Sequence, residues 1–401
     1  MRHYLSLPND DTMMNPLIIG DLKVPLPIVQ GGMGVGISLS GLASAVAREG
    51  GIGVISAACI GMSMEGYERN LRQANREGLR NELRKARSLT KGVLGVNLMV
   101  ALTDYDDLLK ISIEEEADVV FLSAGMPLKL PEFVLDTGFR NIKTKFIPKV
   151  SSAKAARIIF QYWQLRFGHI PDAVAVEGPL AGGHLGFSRQ ELNDKSKTLE
   201  QITKEIVEVV KSFETTHHRK IPVIAGGGIY TGADIYRIMR MGVQAVKMGT
   251  RFVTTYECDA SEAFKMSYIN SREEDITIID SPVGLPGRVI RNDFVDQINK
   301  GETKPFTCPW KCLKPCDYEQ APYCIALALL NSARGKMDES FAFAGANAYR
   351  ATKLQSVKEV FSELLAGYAQ EHELQEGLIK ARNGPPPVQL PVSLSCSGNA
   401  L

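Results

Sequence analysis

The chain has 401 residues, 44% of them hydrophobic, and a net charge of +1. That is enough apolar material for one large domain, alone or with an appendage, and the near-zero charge argues against nucleic-acid or anionic-membrane partners. No apolar run approaches the roughly 20 residues needed to span a bilayer, and the N-terminal run MRHYLSLPNDD has no signal-peptide core, so the expected location is the cytoplasm.

Taken in chain order, eight short runs rich in Val and Ile recur. They are residues 25–31 (PLPIVQG), 51–56 (GIGVIS), 93–99 (VLGVNLM), 118–125 (DVVFLSAG), 145–150 (KFIPKV), 172–178 (DAVAVEG), 221–227 (IPVIAGG) and 245–250 (AVKMGT). Each reads as a strand buried on both faces. Helical spacing lies between them, most clearly at 199–213, where Ile202, Ile206, Val209, Val210 and Phe213 share one face. Eight strands alternating with helices over about 250 residues predict an α/β fold, a (β/α)8 TIM barrel with its functional residues at the C-terminal strand ends. A doubly wound open sheet is the alternative, because periodicity does not show that a sheet closes.

Three segments depart from the simple repeat. Residues 61–91 are polar, with Glu65/Arg69 and Glu68/Arg72 spaced for i,i+4 pairs, and predict a solvated helical insertion on the rim after the second strand. Residues 301–382 read as a Cys-rich and helical C-terminal extension to a barrel of residues 1–300. Residues 383–401, with three consecutive prolines and several serines, read as an irregular tail.

The most informative stretch is EGPLAGGHLG at 177–186, which places His184 directly after a Gly-Gly pair at a strand end. Glycines let backbone approach a planar ring or a phosphate, and a histidine fixed there can move protons near neutral pH. The other five histidines have no chemical context. GGMGVG at 31–36 could pass for a dinucleotide fingerprint, but the second strand ends Ser56-Ala-Ala without the expected acid. AGGGI at 225–229 and MGTRF at 248–252 follow the seventh and eighth strands, where barrels commonly bind phosphate.

With these motifs assembled, the chain resembles the flavin-dependent nitronate monooxygenases (2-nitropropane dioxygenases) and the related flavin-dependent enoyl-acyl-carrier-protein reductases. PIVQGGMG, GVNLM, EGPLAGGHLG, IPVIAGGGI and AVKMGTRF carry the likeness in the same order over residues 15–300. The resemblance implies FMN at the barrel mouth and His184 as the active-site histidine. It implies that Gly32 and Met33 lie against the flavin ring, that Asn97 meets its pyrimidine edge, and that Lys149 stabilises negative charge on it. It places Glu177, Gly182 and Gly183 around the flavin, and gives the phosphate to Gly227, Gly228, Gly249 and Thr250. Apart from the resemblance, Asn97 is equally a strand-end turn residue and Lys149 a solvated loop charge.

Cys308, Cys312, Cys316 and Cys324 put four of the seven cysteines within 17 residues. Such clusters in a cytosolic chain mark metal or redox chemistry more often than disulfides, so an iron–sulfur cluster or zinc is expected at these four. Their spacing matches neither a zinc ribbon nor the common ferredoxin run, and a redox-active thiol or unligated thiols are the alternatives. Cys59, Cys258 and Cys396 read as ordinary buried or tail residues. The functional expectation is nitronate oxidation with O2, ahead of an NAD(P)H-dependent enoyl-thioester reductase and of a non-catalytic flavin or metal protein. A small-molecule substrate is expected, and the oligomeric state is open between a monomer and a homo-oligomer.

Overall fold

The computed structural model describes residues 14–383, with side chains to residue 379. The N-terminal run and the tail expected at 383–401, with Cys396, lie outside these residues except for Asn383.

Eight parallel strands close into a barrel: β1 (Ile28–Gln30), β2 (Ile52–Ser56), β3 (Val93–Met99), β4 (Val119–Ser123), β5 (Lys145–Val150), β6 (Val174–Glu177), β7 (Val223–Gly226) and β8 (Ala245–Met248). Closure is made by β8 returning to β1, with Val246 opposite Ile28 and Met248 opposite Gln30. The open-sheet alternative is thereby set aside. Each strand is short and apolar because both faces are covered, and β2 and β4 have no exposed residue. Val29, Ile52, Val54, Val119, Phe121, Ile147 and Ile224 fill the inside, and a hairpin of Leu17–Ile19 and Leu22–Val24 adds Leu17, Ile19 and Val24 to that inner core.

The helical ring consists of α1 (Ser40–Arg48), α2 (Leu71–Leu89), α3 (Tyr105–Glu114), α4 (Glu132–Thr137), α5 (Ala153–Phe167), α6 (Leu199–His217), α7 (Gly232–Met239) and α8 (Val357–Asn383). No described helix is long and apolar enough to cross a membrane.

Two sequence expectations are corrected here. The polar segment 61–91 is not mainly a rim insertion, because its helix, α2, is the barrel helix between β2 and β3 and packs on α1 and α3. Leu71, Ala74, Gly78, Leu79, Leu83 and Ala86 form its buried stripe. Its arginines reach across to α3 and the start of β4 rather than along their own helix. Arg72 pairs with Asp107, Arg80 with Glu114 and Glu115, Arg84 with Glu115, and Arg87 with Asp118.

The second correction concerns the barrel's end. Residues 301–382 are not a terminal extension, since α8 packs against α7 and α1 and completes the ring. The irregular material is therefore an excursion of residues 254–356 inside the eighth βα unit. It contains an antiparallel hairpin, Ile276–Asp280 with Pro286–Ile290, whose second strand pairs with the two-residue strand Gly183–His184. It also contains the helix Ile325–Ala333 and the cysteine-bearing run, tied to the loop after β3 by Thr103 N donating to Cys312 O at 3.1 Å and Lys314 N to Ala101 O at 2.9 Å.

Candidate active site

At the C-terminal mouth, two cavities of 230 Å³ and 180 Å³ share Gly32, Met33, Asn97, Lys149, Gly182, Gly249 and Thr250 as walls. The larger adds Gly183 and His184. The smaller adds Glu177, Gly227 and Gly228. The structure thus brings together every expected flavin-site and catalytic position, drawn from six of the eight strand ends or the loops that follow them.

Each position has a local cause. The β1 loop is fixed by Asp259, after β8, whose carboxylate accepts from the amides of Leu39 (2.7 Å), Gly41 (3.0 Å) and Leu42 (3.1 Å) at the start of α1. The loop from Glu177 to His184 is held by Arg288, a buried guanidinium that donates to the carbonyls of Pro179 at 2.8 Å and Ala181 at 2.5 Å. Burial pulls that guanidinium down to about 10.

His184 sits at the entry of the larger cavity with Nε2 2.6 Å from Ser281 Oγ and its ring edge-on to Phe343, centroids 4.8 Å apart. Removal from water, with the Lys149 cation nearby, lowers its pKa to about 4. The imidazole is therefore neutral near pH 7 and available as a base or hydrogen-bond donor.

In the smaller cavity Lys149 Nζ lies 2.5 Å from Glu177 Oε1. The other carboxylate oxygen of Glu177 accepts from Gly186 N at 3.3 Å and Ser151 Oγ at 3.5 Å. Lys247 reaches the same space with Nζ 4.1 Å from the centroid of Phe121.

The lining fits the expected FMN. A flat ring with polar edges needs a slot whose backbone comes close, and a Cβ on Gly32 would fall 2.4 Å from Asn97 Cβ. The ring's heteroatoms need donors and charge, supplied by Asn97, Lys149 and Lys247. At the phosphate end, Gly227 has φ +109°, and a Cβ there would meet the backbone of Gly178 at 2.9 Å. Bare backbone and the Thr250 hydroxyl are left to meet an anion.

Sequence reasoning missed Ser281, Lys247, Arg288 and the apolar roof. Leu313, Ile325, Ala326 and Leu329 come from the excursion into the wall of the larger cavity, beside Val35, Met99 and Leu102, with Leu313 bridged to Leu102. Only Lys247 carried a signal, as a charge inside an otherwise apolar strand run. The metal expected at the four cysteines is not shown. Among the described residues no group of three or more His, Cys, Asp or Glu side chains is placed to hold a metal ion, and the thiols of Cys308, Cys312, Cys316 and Cys324 are free. Cys59, expected to be an ordinary buried residue, lines the larger cavity and neighbours Cys312.

Comparisons with known proteins bear on the family and the fold. The nitronate monooxygenase family profile matches residues 15–367. A (3aS,4S,5R,7aS)-5-hydroxy-7a-methyl-1-oxo-octahydro-1H-indene-4-carboxyl-CoA dehydrogenase of Mycobacterium tuberculosis is 26% identical over 275 residues, covering 69% of this chain and 66% of that protein, just under two thirds of its length. A probable nitronate monooxygenase of Staphylococcus aureus is 26% identical over 311 residues, covering 70% of this chain and 79% of that protein. Among solved structures, FabK from Thermotoga maritima superposes with a TM-score of 0.67 at 26% identity, over 88% of this chain and 95% of that one. A nitroalkane oxidase from Streptomyces ansochromogenes gives 0.67 at 21% identity over 88% and 98%, a likeness of fold.

Proposed function

The chain belongs to the nitronate monooxygenase family, an FMN-dependent oxidoreductase by that membership, and from this premise we propose that it oxidises alkyl nitronates with O2. The observation that carries the reading is the neutral His184, held at Nε2 by Ser281 and facing a largely apolar cavity. Bound FMN supplies the two-electron acceptor beside the substrate carbon.

The chain's own residues do the rest. Gly32, Met33, Asn97, Lys149, Glu177, Gly182 and Gly183 hold the ring, and Gly227, Gly228, Gly249 and Thr250 hold the phosphate. In the tautomer whose Nε2–H donates to Ser281 Oγ, Nδ1 of His184 is unprotonated and takes the α-proton of a neutral nitroalkane, forming the nitronate that is then oxidised. Val35, Met99, Leu102, Leu313 and Leu329 receive the alkyl group and keep water away from it.

A second reading is reduction or dehydrogenation of an acyl thioester, with His184 hydrogen-bonded to the thioester carbonyl. It is favoured by the depth of the apolar roof and by the likeness to a protein named for a carboxyl-CoA substrate. An anaerobic titration of the purified protein with a small nitronate, NADH and NADPH in parallel separates the two. Bleaching of the flavin by the nitronate alone supports nitronate oxidation. Bleaching by a reduced nicotinamide alone rejects it in favour of the thioester reading.

A further inference from the structure

Three ionisable side chains converge on the floor of the smaller cavity: Lys149 from β5, Glu177 from β6 and Lys247 from β8. Two of them cancel. Lys149 is bound to Glu177 at 2.5 Å, so the pair presents little net charge, and the carboxylate's other oxygen is already taken by Gly186 and Ser151. Lys247 has no such partner. Among the described residues no carboxylate lies within ion-pair distance of its Nζ and no acceptor takes a hydrogen bond from it; its contact is the face of Phe121 at 4.1 Å. That contact also fixes direction. Phe121 stands in register with Asn97 on β3 and with Ile147 on β5, two residues before Lys149. The ammonium is therefore turned into the barrel over the ring of Phe121 on β4, the strand between β3, which carries Asn97, and β5, which carries Lys149.

A cation walled into a cavity without a counter-charge in contact is costly unless an anion arrives. Burial, reinforced by the neighbouring Lys149 and only partly opposed by the more distant Glu177, pushes this ammonium down to about 7. An oxidised isoalloxazine is neutral and becomes anionic when reduced, with the charge on its pyrimidine edge, the edge Asn97 is placed to meet.

We propose that Lys247, rather than Lys149, is the side chain that binds the negative charge of the reduced FMN ring, with Lys149 serving to hold Glu177 in place. This rests on FMN lying with its pyrimidine edge toward Asn97. Lys247 stabilises the reduced cofactor more than the oxidised one and so raises the reduction potential.

The test uses Lys247→Met, with Lys247→Gln as a second neutral variant, each stripped and reconstituted with FMN or riboflavin. If Lys247 favours the reduced over the oxidised ring about tenfold, both variants lose ~30 mV of two-electron potential, and any loss of affinity for the oxidised cofactor is the same for FMN as for riboflavin. A potential unchanged in both variants overturns the proposal. A loss of affinity for FMN but not for riboflavin also overturns it, by assigning Lys247 to the phosphate. If the wild type itself takes up neither flavin, the cofactor reading falls first and this one with it, a result distinct from failure of the variants alone.

Discussion

Ser281 Oγ lies 2.6 Å from Nε2 of His184, across a separation of 97 residues. The contact exists because the hairpin Ile276–Asp280 and Pro286–Ile290 adds itself to the short strand Gly183–His184, with Gly287 opposite His184. The inserted excursion, not the barrel, thus sets the aim of the imidazole. Ser281→Ala removes one hydrogen bond, worth about 1 kcal/mol, and should lower kcat/KM for a neutral nitroalkane roughly fivefold while leaving FMN content unchanged. Unaltered steady-state kinetics would remove Ser281 from the mechanism.

His184 makes a sharper prediction with pH. Its pKa is lowered to about 4, first by desolvation and then by Lys149, so the base form persists well below the ordinary histidine range. The acid limb of kcat/KM should therefore fall near pH 4, not near 6.5. Stability follows the same sign. The unfolded chain protonates this histidine below about pH 6.5 while the native state does not, so its contribution weakens as pH drops from there toward 4. His169, also lowered to about 4 by desolvation, adds in the same direction. His184→Asn should keep its flavin yet be reduced by a neutral nitroalkane at least a hundredfold more slowly in stopped flow, with the preformed nitronate much less affected; wild-type rates with the nitroalkane in that variant would exclude the histidine as base.

Much of this architecture was legible because burial on both faces leaves strands no choice but Val, Ile and Ala, and because glycine marks close approach at Gly227 and Gly182. The residues missed share one cause, which is that they act through pairing over long separations. Arg288 and Ser281 matter only once their hairpin has found Gly183. The helix α2 looked solvated because its arginines, polar in sequence, find their carboxylates on α3. The helix α8 looked like an appendage because about a hundred residues separate it from β8, while the space it fills, between α7 and α1, is dictated by the closed barrel.

The phosphate turn can be tested apart from the chemistry. Gly227 has φ +109°, and any side chain there would strike the backbone of Gly178, at 2.9 Å from its carbonyl oxygen. Gly227→Val forces β7's end away from the loop after β6, and FMN occupancy by absorbance should fall below a tenth of wild type. The fold should survive, because the clash lies at the mouth and not in the inner core. Full occupancy would mean that the phosphate sits elsewhere.

The cysteine run gives the last prediction, and it turns on one thiol. Cys312 is held against the loop after β3 by its carbonyl, which accepts from Thr103 N, and packs beside Cys59 and Trp310 in the same apolar cluster. A hydrogen bond from Cys59 lowers the pKa of Cys312, whereas that same bond and burial raise Cys59. Desolvation raises Cys316, takes Cys324 to about 11 and takes Cys258 to about 12. Thiolate fraction governs alkylation, so limited iodoacetamide at pH 7.5 should modify Cys312 ahead of Cys316 and Cys324, with Cys59 and Cys258 protected, as read by peptide mass spectrometry. Cys59→Ala removes the donor and should slow Cys312 severalfold, an effect that mere exposure of Cys312 would not produce. Uniform protection of Cys308, Cys312, Cys316 and Cys324, relieved together by a chelator, would instead mean that the four sulfurs share a metal and that the free-thiol arrangement is wrong.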